Sequence, residues 1–323
     1  MIVVTGAAGF IGSCLVSKLN EMGISDLIVV DHYDHESDPK KMNLVGKKYV
    51  RYFDKAEYLK LLRRDGFDFD VSCIFHMGAC SSTTLQDAEY FEKNNFEYSC
   101  EVAKWAIKYK ARLIYASSAA TYGDGDQGYS DDEDNISKLK PLNLYGLSKQ
   151  KFDLWVLKNQ YQSQVVGLKF FNVFGPNEYH KDDMRSVVAK AYEGVVSEGK
   201  MKLFKSYNNE YKDGEQKRDF IYVKDVVDVM IFLMQRPEVN GIFNVGTAKA
   251  CTWNQLAQAL FLAVNKNPHI EYIEMPEILR SRYQYFTQAD MHKLRAAGYT
   301  KPFTSIEESV ADYCRYLKNR IYI

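Results

Sequence analysis

The sequence predicts a doubly wound α/β fold: a parallel sheet with helices on both faces, followed by a smaller, mostly helical C-terminal part. Three observations predict it. Short β-branched runs alternate with longer amphipathic stretches, a glycine-spaced turn directly follows the first run, and the alternation breaks after residue 172. Near-continuous apolar strands joined by helices are what a parallel sheet buried on both faces requires.

In chain order, Ile2-Val3-Val4 is the first strand and a helix starts at Phe10. Leu27-Ile28-Val29-Val30 is the second strand, ahead of a polar loop, and Cys73-Ile74-Phe75 is the third, ahead of a helix running toward Tyr109. Arg112-Leu113-Ile114-Tyr115 and Val165-Val166-Gly167-Leu168 are the fourth and fifth, separated by a helical pattern from Tyr145 to about Tyr161. Beyond Asn172, Gly175-Pro176 breaks the chain, a helix is expected from about Met184, and a polar stretch from Ser206 to Gln216 precedes Arg218-Asp219-Phe220-Ile221-Tyr222-Val223. Thr252-x-x-Gln255 and Thr304-x-x-Glu307 have capping-box spacing and mark helix starts. Short strands are expected at Ile242–Val245 and Ile270–Ile273, and the chain shows neither repeats nor low-complexity tracts.

With 323 residues, 46% of them apolar, the chain can bury a sizeable core. Lys+Arg and Asp+Glu both number 42, so no global field recruits nucleic acid or an anionic membrane, and an anionic ligand must be held by local charges. The first residues run straight into a strand with no signal-peptide pattern, and no apolar stretch approaches the ~20 residues that span a bilayer. A soluble, cytoplasmic protein is expected. The six cysteines are scattered without a C-x-x-C pair and the six histidines without ligand spacing, so neither a disulfide framework nor a metal site is expected.

Gly6-Ala7-Ala8-Gly9-Phe10-Ile11-Gly12 closes the first strand and opens the first helix, the context that makes a glycine fingerprint a dinucleotide site of Rossmann type. Gly6 serves the tight turn, Gly9 the approach of a pyrophosphate to the backbone, and Gly12 the close packing of helix on strand. Asp31, about 20 residues on, is placed to accept from an adenosine ribose hydroxyl, which favours NAD. Lys40, Lys41, Lys47, Lys48 and Lys55 follow it, so NADP stays open. Met77-Gly78-Ala79-Cys80-Ser81 is a small-residue turn at a strand end where a dinucleotide can pass close to backbone. Met77 reads as an apolar liner and Cys80 as packing.

Tyr145 and Lys149 stand at i and i+4, on one helix face about a turn apart. A free phenol titrates near ~10, and an ammonium together with an oxidised nicotinamide favours the phenolate. In a chain with 24 tyrosines the pair is weak alone, but it lies downstream of Ser117-Ser118 at a strand end, where ligands of open α/β sheets bind. Ser118 falls by register toward the reacting oxygen, and Ser117 reads as a turn cap. Lys181, after Gly175-Pro176, reaches the same rim: a phosphate contact or exposed lysine by chemistry alone, a proton-exchanging group only if desolvated.

Taken together, the glycine loop, Ser118 with Tyr145 and Lys149, Asn172-Val173-Phe174-Gly175-Pro176 and Arg218–Val223 resemble the extended short-chain dehydrogenase/reductases acting on nucleotide sugars. Gly78–Thr84, Tyr115–Gly123, His180-Lys181, Arg282-Tyr283-Gln284 and Phe286–Asp290 resemble, within them, the ADP-heptose 6-epimerase family. That resemblance implies bound NADP, an ADP-heptose substrate, a product used in lipopolysaccharide core synthesis, and a homo-oligomer, a pentamer. Carried over by position, it implies Tyr145 and Lys181 as the acid/base groups and Lys149 on the ribose. Phe10, Ile11, Asp31, His32, Lys40, Lys55, Asn94 and Val173 are then cofactor contacts. On the substrate side it implies Ser118, Asn172, Asp183, Lys190, Arg218 and Tyr283, with Phe204-Lys205-Ser206-Tyr207 near the nucleotide. Three departures bear on binding: Met77 where the family often has Glu, Asp183 in place of a small hydroxyl residue, and the insert 208–216. The expected division is residues 1–172 plus about 218–249 for dinucleotide binding, and about 173–217 with 250–323 for substrate.

Rival readings are an epimerase acting at another carbon such as C4, a 4,6-dehydratase, and a cofactor-binding scaffold without chemistry. Ala119-Ala120-Thr121 supplies neither the acid nor the base a dehydratase needs, and a complete Ser118, Tyr145 and Lys149 set argues against the scaffold.

Overall fold

The structure, a computed structural model, describes residues 1–280 and 283–323. The chain opens with β1 (Ile2–Thr5), α1 (Phe10–Glu21), β2 (Leu27–Asp31), β3 (Arg51–Asp54), α2 (Lys55–Arg64) and β4 (Cys73–His76). Helices α3 (Ala88–Phe91) and α4 (Tyr98–Lys108) are joined by a π-helical stretch, Glu92–Glu97. Next come β5 (Arg112–Ser118), α5 (Leu144–Lys158), β6 (Val165–Phe170) and β7 (Asn172–Phe174). The remainder comprises α6 (Val187–Glu198), β8 (Met201–Phe204), β9 (Lys217–Tyr222), α7 (Val223–Met234), β10 (Gly241–Val245), β11 (Ala250–Thr252) and α8 (Trp253–Ala263). It ends with β12 (Ile270–Ile273), α9 (Glu277–Arg280), α10 (His292–Ala296) and α11 (Ile306–Asn319).

Seven parallel strands form the main sheet in the order β10-β6-β5-β4-β1-β2-β3. Successive strand residues face opposite sides. Val4, Val29, Phe75, Ile114 and Phe243 enter one core with α1 and α7, while Val3, Ile28, Ile74, Leu113 and Tyr115 enter a second with α2, α4 and α5. The doubly wound expectation is met. Two small sheets, β11-β9-β7 and β12-β8, lie beyond it and take the strands from residue 172 onward except β10, which joins the main sheet.

The structure corrects four local expectations. Strand β3 was not anticipated: Arg51-Tyr52-Phe53-Asp54 has no β-branched residue and forms the partly exposed sheet edge. The helix expected from Met184 starts at Val187, because Ser186 caps it by accepting from Ala189 N. Thr252-Gln255 is a true capping box, but the second box is Ser305-Glu308, one residue after Thr304. The Thr304 hydroxyl instead donates to Asp225 Oδ1 at 2.9 Å, a tertiary bond that outcompetes the local one. The helix carrying Tyr145 ends at Lys158 rather than Tyr161.

Candidate active site

β1 and β4 are neighbours on either side of the point where the strand order reverses, and the crevice there is where an open α/β sheet binds ligands. A Cβ at Gly6, whose φ is +67°, would sit 2.6 Å from Gly78 N, and one at Gly12 would sit 2.1 Å from Gly6 O. Glycine at these positions is therefore a packing requirement. Gly9 caps α1 without a side-chain bond and the first turn holds no acidic residue, so its N–H groups are free for a phosphate. A cleft of about 690 Å³ opens above, lined by the loop residues Gly6, Gly9, Phe10, Ile11 and Gly12 and by Asp31, Lys40, Met77, Gly78, Ala79 and Ser81. Ser118, Tyr145, Lys149, Val173, Lys181 and Met184 are also among its lining residues. Shape, free amides and bracketing charges fit a nicotinamide dinucleotide.

Asp31 is tied to the loop: Oδ2 accepts from Ala8 N at 2.7 Å and Oδ1 from His32 N at 2.7 Å. Lys40 Nζ stands 3.4 Å from Asp31 Oδ1, offsetting its charge. Lys55 donates to Asn94 Oδ1, and burial lowers its pKa. His32 lies between Asp34 and Asp54 at 3.2 and 3.6 Å. His32, Lys55, Cys80 and Asn94 are absent from the cleft lining itself.

Asn143 caps α5 by accepting from Gly146 N, and this start puts Tyr145 and Lys149 on the face toward the β5 end. Burial pushes the Tyr145 phenol up, while its hydrogen bond with Ser118 pulls it down. Lys149, 6% exposed, donates to Ala116 O at 2.8 Å, and burial lowers its pKa to about 8 against the pull of Asp153. Lys181 arrives from the other side, its ammonium 5.4 Å from the Phe10 ring. Burial lowers its pKa and the Glu178 carboxylate opposes this. The cap role expected of Ser117 belongs to Ser118, whose hydroxyl accepts from Ala120 N at 3.1 Å. Ser117 points into the core and donates to Asp153 Oδ2 at 2.7 Å.

That bond leads to a pair sequence reasoning missed. Lys169 and Asp153, both with fully buried side chains, form an ion pair of 2.7 Å beneath the strand ends. Asp153 also accepts from Tyr115, and Lys169 also donates to Thr121 Oγ1 at 2.8 Å. One cation at the end of the apolar run Val165–Phe170 was the available signal, since a buried charge requires a partner.

A second cavity, about 450 Å³, lies against α6 and β8 and is lined in part by Lys190, Phe204, Trp253 and Tyr283. Arg218, 6% exposed, sets its guanidinium 5.2 Å from the Tyr283 ring and 5.8 Å from that of Trp253, which the sequence reading had not singled out. Lys205 and Tyr207 both engage Glu274 at the surface, and Ser206 N donates to Asp213 Oδ1 at 2.7 Å, which ties the insert to the 204–207 segment. Asn172 is exposed and accepts from Thr287 at 3.4 Å. Asp183 is exposed and its carbonyl accepts from Lys190 at 3.2 Å. Arg282 lies outside the described residues.

Residues 2–246 match the NAD dependent epimerase/dehydratase family. The chain is 52% identical to the ADP-L-glycero-D-manno-heptose-6-epimerase of Nitratidesulfovibrio vulgaris, over 98% of this chain and 97% of that protein. It is 47% identical to the enzyme of the same name from Fusobacterium nucleatum, over 97% and 96%. The crystal structure of the Helicobacter pylori ADP-L-glycero-D-manno-heptose-6-epimerase superposes with a TM-score of 0.83 at 30% identity, covering 98% of this chain and 96% of that one. With a dinucleotide crevice at the strand-order reversal and near full-length likeness to these enzymes, the chain belongs to the NAD dependent epimerase/dehydratase family and, within it, to the ADP-L-glycero-D-manno-heptose-6-epimerases.

Proposed function

We propose that this chain inverts C6 of ADP-D-glycero-D-manno-heptose to give ADP-L-glycero-D-manno-heptose, a precursor of lipopolysaccharide core. The observation that carries the reading is that Tyr145 and Lys181, from separate elements, line one cleft with the glycine loop. C6 of the heptose has no adjacent carbonyl, so its hydrogen is too weakly acidic for a side chain to remove, and inversion has to pass through a ketone. A nicotinamide dinucleotide held by the glycine loop and Lys149 would supply the hydride acceptor for C6 and the hydride for its re-reduction. Tyr145 and Lys181 exchange the hydroxyl proton, one on each face of the sugar carbon, and the ketone presents its other face between the two transfers. Ser118 orients the oxygen beside Tyr145, and Lys149 holds the nicotinamide ribose. Desolvation of Lys181 suits it to proton exchange, because it disfavours the ammonium.

NADP is the cofactor in this reading: Lys40 lines the cleft, offsets the charge of Asp31 and supplies a cation for a 2′-phosphate. Mass spectrometry of the nucleotide released from the unfolded protein distinguishes it from NAD. A cytoplasmic homo-oligomer, pentameric by the family resemblance, completes the reading, and sedimentation measures it.

The direct test is to incubate the purified protein with ADP-D-glycero-D-manno-heptose without added cofactor and follow C6 stereochemistry by NMR. Turnover is expected, and Tyr145→Phe or Lys181→Met should lower it by about 10²–10⁴-fold, the span of general acid–base catalysis. Full turnover in either variant removes that residue from the mechanism. Cofactor binding with no change in the sugar removes the function.

A further inference from the structure

Lys181 sits on a stretch that does not hold itself in place. Tyr179–Met184 is a 3₁₀ segment broken at Asp182, where φ is +44° and ψ is −120°, so outside contacts must fix the ammonium against α1. Glu178 supplies one, its carboxylate accepting from Ser186 N and Oγ at 2.6 Å each. His180 Nδ1, 3.2 Å from Asn43 Nδ2, supplies a second, and Asn177 a third. Asn177 is fully buried at φ +73°, a conformation that asparagine tolerates better than most residues. Its amide donates to Ser13 Oγ in α1 at 2.9 Å, and its carbonyl accepts from Asn43 at 3.1 Å, whose amide also reaches Ala8 O of the glycine loop at 2.8 Å.

Residues 321–323 close this junction. Past α11 the chain turns at Arg320, φ +49°, and lies against the loop. Ile323 N donates to Asn177 Oδ1 and Asn177 Nδ2 donates to Ile323 O, both at 3.0 Å, so side chain and backbone pair as two strands would. Lys47 Nζ also donates to Ile323 O. Tyr179 donates to Ile321 O at 3.0 Å, and its ring meets that of Tyr322 edge-on, centroids 5.1 Å apart.

We propose that residues 321–323 are a latch that positions Lys181 for the reaction: by pairing with Asn177 and Tyr179 they hold the 175–181 loop against the glycine-loop helix. None of the three touches the cleft, so they are positioning residues that act through Lys181. The proposal rests on the acid/base reading of Lys181.

The test deletes residues 321–323 from the full chain, alone and in a Lys181→Met background, with Tyr179→Phe as a milder variant that keeps the segment. The deletion should lower kcat by about tenfold or more, a small misplacement being that costly, with KM and bound cofactor within about twofold. Hydrogen exchange over 175–183 should rise. In the Lys181→Met background the deletion should cost nothing further, and Tyr179→Phe should fall between wild type and the deletion. Independent, multiplying losses, an unchanged kcat, or unchanged exchange over 175–183 would overturn the latch. If Lys181→Met alone keeps full turnover, the acid/base reading falls, and the exchange measurement still decides whether the segment holds the loop.

Discussion

Lys149 is a cation in a place that disfavours cations. Burial lowers its pKa to about 8, and the carboxylate of Asp153, one turn further along α5, is the first influence holding it up. The sign follows from the direction of the shift: the ammonium is present below about pH 8 and is lost as pH rises through that value. If its charge holds the cofactor ribose and favours the Tyr145 phenolate, kcat/KM should fall on the alkaline side with an apparent pKa near 8. The Asp153→Leu/Lys169→Met double variant removes the supporting carboxylate without orphaning a charge, and the alkaline limb should move to lower pH. A limb that stays in place would show that Asp153 has no electrostatic part in the site. Tyr145 raises the complementary point: burial pushes its phenol up, so in the free protein it is protonated at neutral pH, and a positive charge beside it is required before it can accept a proton.

At the scale of elements, the Lys169–Asp153 pair fastens β6 to α5 while Ser117 fastens β5 to the same carboxylate, so β5 and α5, which carry Ser118 and Tyr145 with Lys149, share one buried network with β6. Breaking a buried pair leaves an uncompensated charge, and Lys169→Met alone should cost about 3–5 kcal/mol, whereas adding Asp153→Leu removes that charge and should return part of the loss, the buried Tyr115 and Ser117 hydroxyls keeping the remainder because they lose their acceptor. Urea unfolding separates the two; equal losses would mean the network adds nothing beyond packing. Ser305→Ala should cost about 1 kcal/mol by the same measurement, as the true cap of α11. These elements also show what the sequence made legible. Strands buried on both faces announce themselves as apolar runs, and the glycine loop announces itself because Gly6 and Gly12 have no room for a Cβ. The edge strand β3 did not, since half-exposed strands need no such run. Thr304 and Ser305 could not be told apart because either hydroxyl suits a cap, and only the buried Asp225, distant in sequence, claims one of them. Asp153 carries no local sign of its role, which depends on the fold placing Lys169 beside it. The junction of Asn177 with Ile323 joins positions 146 apart, and no local pattern encodes it.

On the scale of the whole molecule, the proposed reading has two cavities serve one substrate. Met184 lines the cofactor cleft and Val187, three residues on, lines the second cavity, so the stretch entering α6 is the wall between them. A sugar nucleotide lying along that wall puts its heptose between Tyr145 and Lys181 and its nucleoside diphosphate toward Phe204, Arg218 and Tyr283. Binding there is remote from C6. Contacts made equally with substrate and transition state lower KM without changing kcat. Tyr283→Ala removes the ring that faces the Arg218 guanidinium at 5.2 Å, and it should therefore raise KM for the ADP-sugar about tenfold or more and leave kcat within about threefold. Tyr145→Phe should show the reverse, with kcat lost and KM little changed. If Tyr283→Ala instead lowers kcat at unchanged KM, the second cavity is not where the nucleotide is held, and the substrate has to be placed wholly within the cofactor cleft.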